Sequence, residues 1–252
     1  MLRKVQSTLG LVRAVRNWPS ALIDHAGMSR RPYVCRLRNG LRFHVRAGTD
    51  DSRVTFEIFV QGCYQAARVR PGATIIDIGA NIGLFSLVAA QKAATVLAFE
   101  PEPENFAILQ KNCRLNEAHN VTARQLAVSD TSGVSRLYLP DNDGLTGRHS
   151  LYSGRGSRSL EVSCATLDEI VADGGYECVD LVKLDCEGSE YGILFGVRIS
   201  TLNRVRQIIV ECGKFQSNSK NSQEELAKYL NGLGFSTESH DKILYASKPV
   251  AE

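Results

Sequence analysis

Apolar and polar positions along this 252-residue chain change period several times, and the changes mark out its elements. Ala73-Thr-Ile-Ile-Asp-Ile78 is an apolar run interrupted only by Thr74 and Asp77, the pattern of a strand buried on both faces of a parallel sheet. Gly79 and Gly83 bracket a tight loop after it, and Leu84 to Ala90 has the length and composition of a packed helix. Ala94 to Glu100 reads as a second buried strand, Pro103 to Leu115 as a second helix, and Val121 to Val128 as a third strand. Val179 to Asp185 and Val205 to Glu211 are two further buried strands. Thr166-x-x-Glu169 and Ser222-x-x-Glu225 are helix-opening caps, the second helix running to Gly234. Glu187 to Phe195 reads as helix, with Glu187 and Glu190 three apart on one face. Strand and helix alternating at this rhythm imply right-handed crossovers, so the expected fold is α/β, a Rossmann-like doubly wound and mostly parallel sheet.

The ends and one interior stretch depart from that rhythm. Residues 1–18 space Leu2, Val5, Leu9, Val12, Val15 and Trp18 along one stripe, an amphipathic helix pattern ended by Pro19. Tyr33 to Arg38 and Leu41 to Arg46 alternate about Asn39-Gly40, a strong hairpin signal. Thr55 to Tyr64 is consistent with a short helix leading into the first sheet strand, and Phe235 to Ala246 with a terminal hairpin. Between residues 135 and 163 two short strands flank a Gly/Ser/Asp/Arg-rich loop carrying Arg148, His149 and Ser150, and a loop of that length inside a compact domain suits a lid. The division expected is an N-terminal basic extension over residues 1–50 and a main domain over 51–252.

Composition narrows the classes. Hydrophobic residues make up 43% and charged residues 23%, enough for one sizeable core. The net charge of +3 is too small to call for a nucleic-acid partner, yet residues 1–72 hold thirteen Lys and Arg against four Asp and Glu. That arm is a candidate for contact with something acidic, with solvation or pairing to the acidic domain as the plainer reading. Its helix packs on the main domain or a sister subunit, with peripheral membrane contact as the alternative. Seven cysteines without a C-x-x-C pair suit reduced thiols in the cytoplasm rather than a zinc site or disulfide framework. No run approaches the ~20 apolar residues of a membrane span.

The chemistry gathers at strand ends, where open α/β sheets bind ligands. Asp77, Glu100, Asp185 and Glu211 all lie there. An acidic residue ending the second strand can accept both hydroxyls of an adenosine ribose, which makes Glu100 the expected ribose ligand. Free amides at the helix start and the close approach allowed by Gly79 and Gly83 suit a ligand on the loop. A dinucleotide fingerprint begins with glycine, but here Asp77 holds that place in D-x-G-A-N-x-G. A carboxylate there would repel a pyrophosphate and suit a ligand carrying an ammonium and a sulfonium, which points to S-adenosyl-L-methionine. Asp185, Glu187 and His149 are the candidate catalytic residues, any of which could take the proton of an attacking alcohol. Asp185 with Glu211 could instead hold a divalent metal such as Mg²⁺ through oxygen ligands.

Five segments carry a resemblance. Ile75-Ile-Asp-Ile-Gly-Ala-Asn-Ile-Gly-Leu-Phe-Ser86, Ala98-Phe-Glu-Pro-Glu-Pro-Glu-Asn-Phe106, Ala127-Val-Ser-Asp130, Thr166-Leu-Asp168 and Val182-Lys-Leu-Asp-Cys-Glu-Gly-Ser-Glu190 together resemble the FkbM family of S-adenosylmethionine-dependent methyltransferases. The resemblance spans roughly residues 50–215 and implies a class I methyltransferase fold that O-methylates a sugar, glycan or polyketide-like small-molecule hydroxyl. It further implies that Gly79, Ala80, Asn81 and Gly83 cradle the cofactor's methionine part, Glu100 its ribose, and Leu126 and Ala127 its adenine. A nucleic-acid methyltransferase is the alternative prompted by the basic arm, although Asp185-Cys-Glu-Gly stands where amino-methylating enzymes present Asn/Asp-Pro-Pro-Tyr/Phe. An NAD-dependent oxidoreductase fits Glu100 and fails at Asp77; a non-catalytic cofactor-binding protein is a third class.

Overall fold

The computed structural model describes residues 9–60, 69–142, 144–152, 157–213 and 221–249. Its N-terminal part begins with helical residues 9–14, followed by α1 (Trp18–His25), β1 (Tyr33–Arg36), β2 (Arg42–Val45) and α2 (Asp51–Phe59). The expected helix over residues 1–18 is therefore two segments, and its positions Leu2 and Val5 lie outside the described residues. Pro19 starts a helix rather than only ending one, because its missing N–H costs nothing in a first turn. The Asn39-Gly40 hairpin forms as expected, with Tyr33 opposite Val45 and Gly40 at φ +96°. The helix read over Thr55 to Tyr64 begins earlier, at Asp51, with residues 61–64 outside the described part.

The alternating part follows as β3 (Thr74–Ile78), α3 (Leu84–Ala90), β4 (Thr95–Phe99), α4 (Pro103–Leu115) and β5 (Val121–Arg124), then β6 (Ala127–Val128), β7 (Gly133–Leu139), β8 (Arg158–Ala165) and α5 (Leu167–Asp173). It ends with β9 (Leu181–Leu184), α6 (Glu190–Gly196), α7 (Ile199–Leu202), β10 (Gln207–Glu211), α8 (Gln223–Gly232), β11 (Ser236–His240) and β12 (Ile243–Ser247). The main sheet runs β11-β12-β10-β9-β3-β4-β5; β5, β4, β3, β9 and β10 are parallel, and β12 enters antiparallel as the second arm of the C-terminal hairpin. Strand order reverses between β3 and β9, which makes the carboxyl ends of those two strands the switch point where a ligand crevice opens.

Alternation along the central strands divides the core. Ile75, Val96 and Leu181 face one layer, which also holds Leu11, Val15, Ala21 and Phe43, so the N-terminal extension shares a core with the sheet. Ile76, Ile78, Leu97, Val182 and Leu184 face the other, under α5, α6 and α8. Thr166 and Glu169 form the full reciprocal capping box, and the Ser222 hydroxyl accepts from the Glu225 amide.

Two expectations are corrected. The strand read over Val121 to Val128 is two strands: after Arg124 the chain leaves the main sheet, and Ala127–Val128 pairs with Cys164–Ala165 in a separate sheet of order β6-β8-β7. Glu187 is not helical; it sits in the loop after β9 at φ +55°, followed by Gly188 at φ +117°, and α6 starts at Glu190. It therefore shares no helix face with Glu190.

Candidate active site

A cleft of about 570 Å³, counting its open mouth, lies over the carboxyl ends of β3, β4 and β9. Of the residues expected at a cofactor, Gly79, Asn81, Glu100, Leu126 and Ala127 line it, and so do His149, Asp185 and Glu187. The split of the third strand is what puts Leu126 and Ala127 there, since the chain turns across the cleft on its way between sheets.

Asp77, Ala80 and Gly83 are not on the cleft wall. Asp77 stands opposite Lys183 in the β3–β9 register, so the two side chains lie together, 0% and 3% exposed, with Lys183 Nζ 3.1 Å from Asp77 Oδ1. The Ser86 hydroxyl donates to Asp77 Oδ2, while Oδ1 has the ion pair and no well-aligned hydrogen bond. The ammonium that Asp77 meets is the chain's own. Lys183 also donates to the Gly79 carbonyl at 2.9 Å and lies 3.8 Å from Asp185 Oδ2. Burial pushes its pKa down, Asp77 and Asp185 outweigh that, and the result is a lysine pushed up to about 12.

Ala80 packs with Ala98 and Leu109, and a side chain on Gly83 would meet Leu109. The first amides of the loop are taken by the chain itself. Gly79 and Ala80 N–H both donate to the Phe99 carbonyl, and Asn81 N–H donates to Glu100 Oε2 at 2.8 Å. Gly79, at φ +75°, is required by contact: a Cβ there would fall 1.8 Å from the Asp185 carbonyl oxygen. The two strand-end loops thus touch backbone to backbone.

Glu100 is buried and already engaged. Besides the Asn81 amide it accepts from Glu102 N–H at 3.0 Å and from Asn105 Nδ2 at 3.4 Å. A carboxylate offers about four acceptor positions, so these three protein donors leave one open. Burial pushes its pKa up to about 7, against the pull of those donors. The side chain is not the cap of α4; Glu102 is, accepting from Asn105 N–H.

The loop from residue 141 to 152 is fastened at both ends. The Thr146 hydroxyl donates to Asp50 Oδ1 at 2.7 Å and Asp51 Oδ1 at 3.1 Å, and Gly147 N–H donates to Asp50. At the other end Ser150 Oγ donates to the Glu187 carbonyl at 2.7 Å, and its backbone bridges Tyr138. His149 lies between these fastenings. Burial lowers its pKa, Glu102 and Asp50 oppose that, and Arg46 and Arg158 reinforce it, so the imidazole is neutral at pH 7. Asn105 sits at the centre: Nδ2 reaches the Thr146 carbonyl at 2.9 Å and His149 Nδ1 at 3.5 Å, and Oδ1 accepts from Arg46 Nη2 at 2.7 Å.

Glu190 accepts from Cys186 and Gly188 N–H, pinning the loop that carries Asp185 and Glu187. Glu211, the second oxygen donor of the expected Mg²⁺ pair, is engaged by the Lys242 ammonium, as Asp185 is approached by Lys183. Among the described residues no group of three or more His, Cys, Asp and Glu gathers around a metal position. Asn105, Asp50, Asp51 and Thr146 were not identified from sequence; Asn105 lay within the Pro103-Glu-Asn-Phe106 segment that carries the resemblance, but nothing in its spacing marks a side chain pointing back at the cleft.

The site fits a cationic nucleoside. Three carboxylates line it, and the buried Asn81 Oδ1 has no hydrogen-bond partner, an acceptor awaiting a donor. No helix among the described residues is long and apolar enough to cross a membrane, and the six described cysteines are free thiols.

Comparison with known proteins agrees. Residues 77–237 match the model of the methyltransferase FkbM domain. The chain is 31% identical over 250 residues to the 31-O-demethyl-FK506 methyltransferase FkbM of Streptomyces tacrolimicus, an alignment covering 85% of this chain and 93% of that one. It is 34% identical over 186 residues to methyltransferase sdnD of Sordaria araneosa, covering 62% and 72%. A crystal structure of methyltransferase FkbM from Methylobacillus flagellatus superposes with a TM-score of 0.51 at 18% identity, covering 73% of this chain and 46% of that one, a likeness of fold.

Proposed function

This chain belongs to the methyltransferase FkbM family of S-adenosylmethionine-dependent enzymes, and we propose that it methylates a hydroxyl oxygen of a small molecule or glycan held over the ends of β3 and β9. The observation that carries the reading is one cleft lined by Gly79, Asn81, Glu100, Leu126 and Ala127 together with His149, Asp185 and Glu187. The first five are the residues that would hold the cofactor: the glycine loop and Asn81 Oδ1 at the methionine part, Glu100 at one ribose hydroxyl, Leu126 and Ala127 against the adenine. S-adenosylmethionine, when bound, supplies an electrophilic methyl group on a sulfonium whose leaving group is a neutral thioether. Oxygen as the acceptor atom is supported by the name of the Streptomyces relative.

The residues of this chain have three tasks. They hold the acceptor in line, and positioning of this kind supplies much of the rate of a displacement on carbon. They receive the hydroxyl proton, worth ~10²–10⁴-fold, with the carboxylates of Asp185 and Glu187 and the imidazole of His149 within the cleft. The fastened 141–152 loop excludes water from the reacting atoms.

Calorimetry with S-adenosylmethionine and with NAD, followed by a radiolabelled methyl-transfer screen over glycans and hydroxylated small molecules, tests the proposal. Binding of NAD in place of S-adenosylmethionine, or label appearing only on nitrogen, would overturn it.

A further inference from the structure

The Asn105 amide has a determined orientation. Its Oδ1 lies 2.7 Å from Arg46 Nη2, and a guanidinium has donors only, so oxygen must face Arg46 and the NH₂ must face the other way. Arg46 is itself held by a bidentate contact with Asp51, which is fully buried. On the NH₂ side lie the Thr146 carbonyl at 2.9 Å, Glu100 Oε1 at 3.4 Å and His149 Nδ1 at 3.5 Å. Its two hydrogens cannot serve all three neighbours, but an amide nitrogen accepts no hydrogen bond, so a proton on His149 Nδ1 would find no acceptor on that side. A ring nitrogen facing an N–H group keeps its lone pair and carries no proton.

We propose that Asn105 is a positioning residue that fixes the tautomer of His149, leaving its proton on Nε2, so that the imidazole serves the acceptor as a hydrogen-bond donor while the carboxylate of Asp185 or Glu187 takes the hydroxyl proton. The acceptor half of this inference rests on the O-methylation reading; the tautomer half does not. In the proton step the acceptor O–H bond breaks and its electron pair stays on the oxygen that takes the methyl group. The proton passes to a carboxylate oxygen and from there to water, with no oxidant or reductant involved. Charges around the ring agree. Arg46 and Arg158 oppose a second proton on the imidazole, Glu102 and Asp50 favour one, and burial decides in favour of the neutral form.

The tautomer is read directly by ¹⁵N NMR of the ring nitrogens in the full chain without added cofactor at pH 7.5, with His149 assigned by its loss in H149Q. The expected spectrum has Nε2 protonated and Nδ1 bare. In N105D a carboxylate replaces the donor, and the proton is expected to move to Nδ1 or both nitrogens to become protonated. A proton on Nδ1 in the wild-type protein, or ring shifts that N105D leaves unchanged, would overturn the proposal. If N105D does not fold, the wild-type spectrum decides alone. For the acceptor half, H149Q keeps an amide N–H and should lose less than the ~10²–10⁴-fold that removal of a general base costs, whereas a loss of that size makes His149 the base and refutes it.

Discussion

Replacing Lys183 by methionine removes the cation from beneath the cleft floor and tests whether Asp77 serves the fold or the cofactor. The lysine is 3% and Asp77 0% exposed, so the orphaned carboxylate would keep only the Ser86 hydroxyl. Breaking a buried pair by removing one partner costs about 3–5 kcal/mol. The Gly79 carbonyl loses its charged donor as well, about 1–3 kcal/mol more. Against a total stability on the order of 5–15 kcal/mol, K183M is expected to lose a large fraction of it. In D77N/K183M the charge is gone from both sides, so the double variant should recover at least ~2 kcal/mol over the sum of the singles, the coupling expected of contacting residues. Urea unfolding at pH 7 measures all three. At pH 7 the pair is intact: the Lys183 pKa is raised to about 12, so its contribution is fully present below about 10.5 and is lost only as pH climbs through 12. A K183M loss below ~1 kcal/mol would refute the reasoning. So would a D77N protein of wild-type stability whose affinity for S-adenosylmethionine fell a hundredfold, because Asp77 would then reach the cofactor after all.

Further outcomes follow from the same geometry. Glu100, raised to about 7 by burial, is neutral below that pH in the ligand-free protein; cofactor Kd measured by calorimetry should rise as pH falls through 7, approaching ~10-fold per unit, and E100Q should abolish that dependence. The same raised pKa means that Glu100 favours folding most below about 4.5 and loses that contribution as pH climbs to 7. Gly79→Ala puts a Cβ 1.8 Å from the Asp185 carbonyl oxygen at φ +75°, so cofactor binding should fail along with at least ~1–2 kcal/mol of stability, checked by calorimetry and urea titration. Thr146→Val removes the donor shared by Asp50 and Asp51; acceptor KM should rise several-fold while cofactor Kd holds. At Glu187, φ +55°, glycine should be about 1 kcal/mol more stable than alanine by thermal melting, with both variants losing turnover equally if the carboxylate is what matters.

The order of elements and the cleft's location were legible because each rests on a local signal. Buried apolar runs gave the parallel strands, capping residues gave the starts of α5 and α8, and strand ends gave the crevice. What could not be read was direction within a residue pair. Asp77 opposes Lys183 only through the register of two strands about a hundred residues apart in sequence, and no pattern along the chain states that register. The break of the third strand after Arg124 depends likewise on β8 being present to receive Ala127 and Val128. Asp50 and Asp51 carry no motif in the sequence, yet both are buried, held by Thr146 and Arg46.

The two loops that meet at Gly79 and Asp185 share a backbone device, and it explains why the reading of Glu187 as helical failed. Ile78 and Leu184 are register partners at the ends of β3 and β9, and three residues beyond each stands a non-glycine in left-handed conformation, Asn81 at φ +51° and Glu187 at φ +55°. Such backbone costs ~1–2 kcal/mol per residue and persists only where surroundings enforce it. Here they do: Asn81 N–H is held by Glu100, the amides on either side of Glu187 by Glu190, and the Glu187 carbonyl by Ser150. A polar side chain is thereby set into the cleft from each of two adjacent parallel strands, at equivalent depth along the sheet. A helix beginning immediately at the strand end would carry those side chains away along its own axis. The strain is thus placed where the polar wall of the cleft is built, and the buried carboxylates Glu100 and Glu190 are what hold it there.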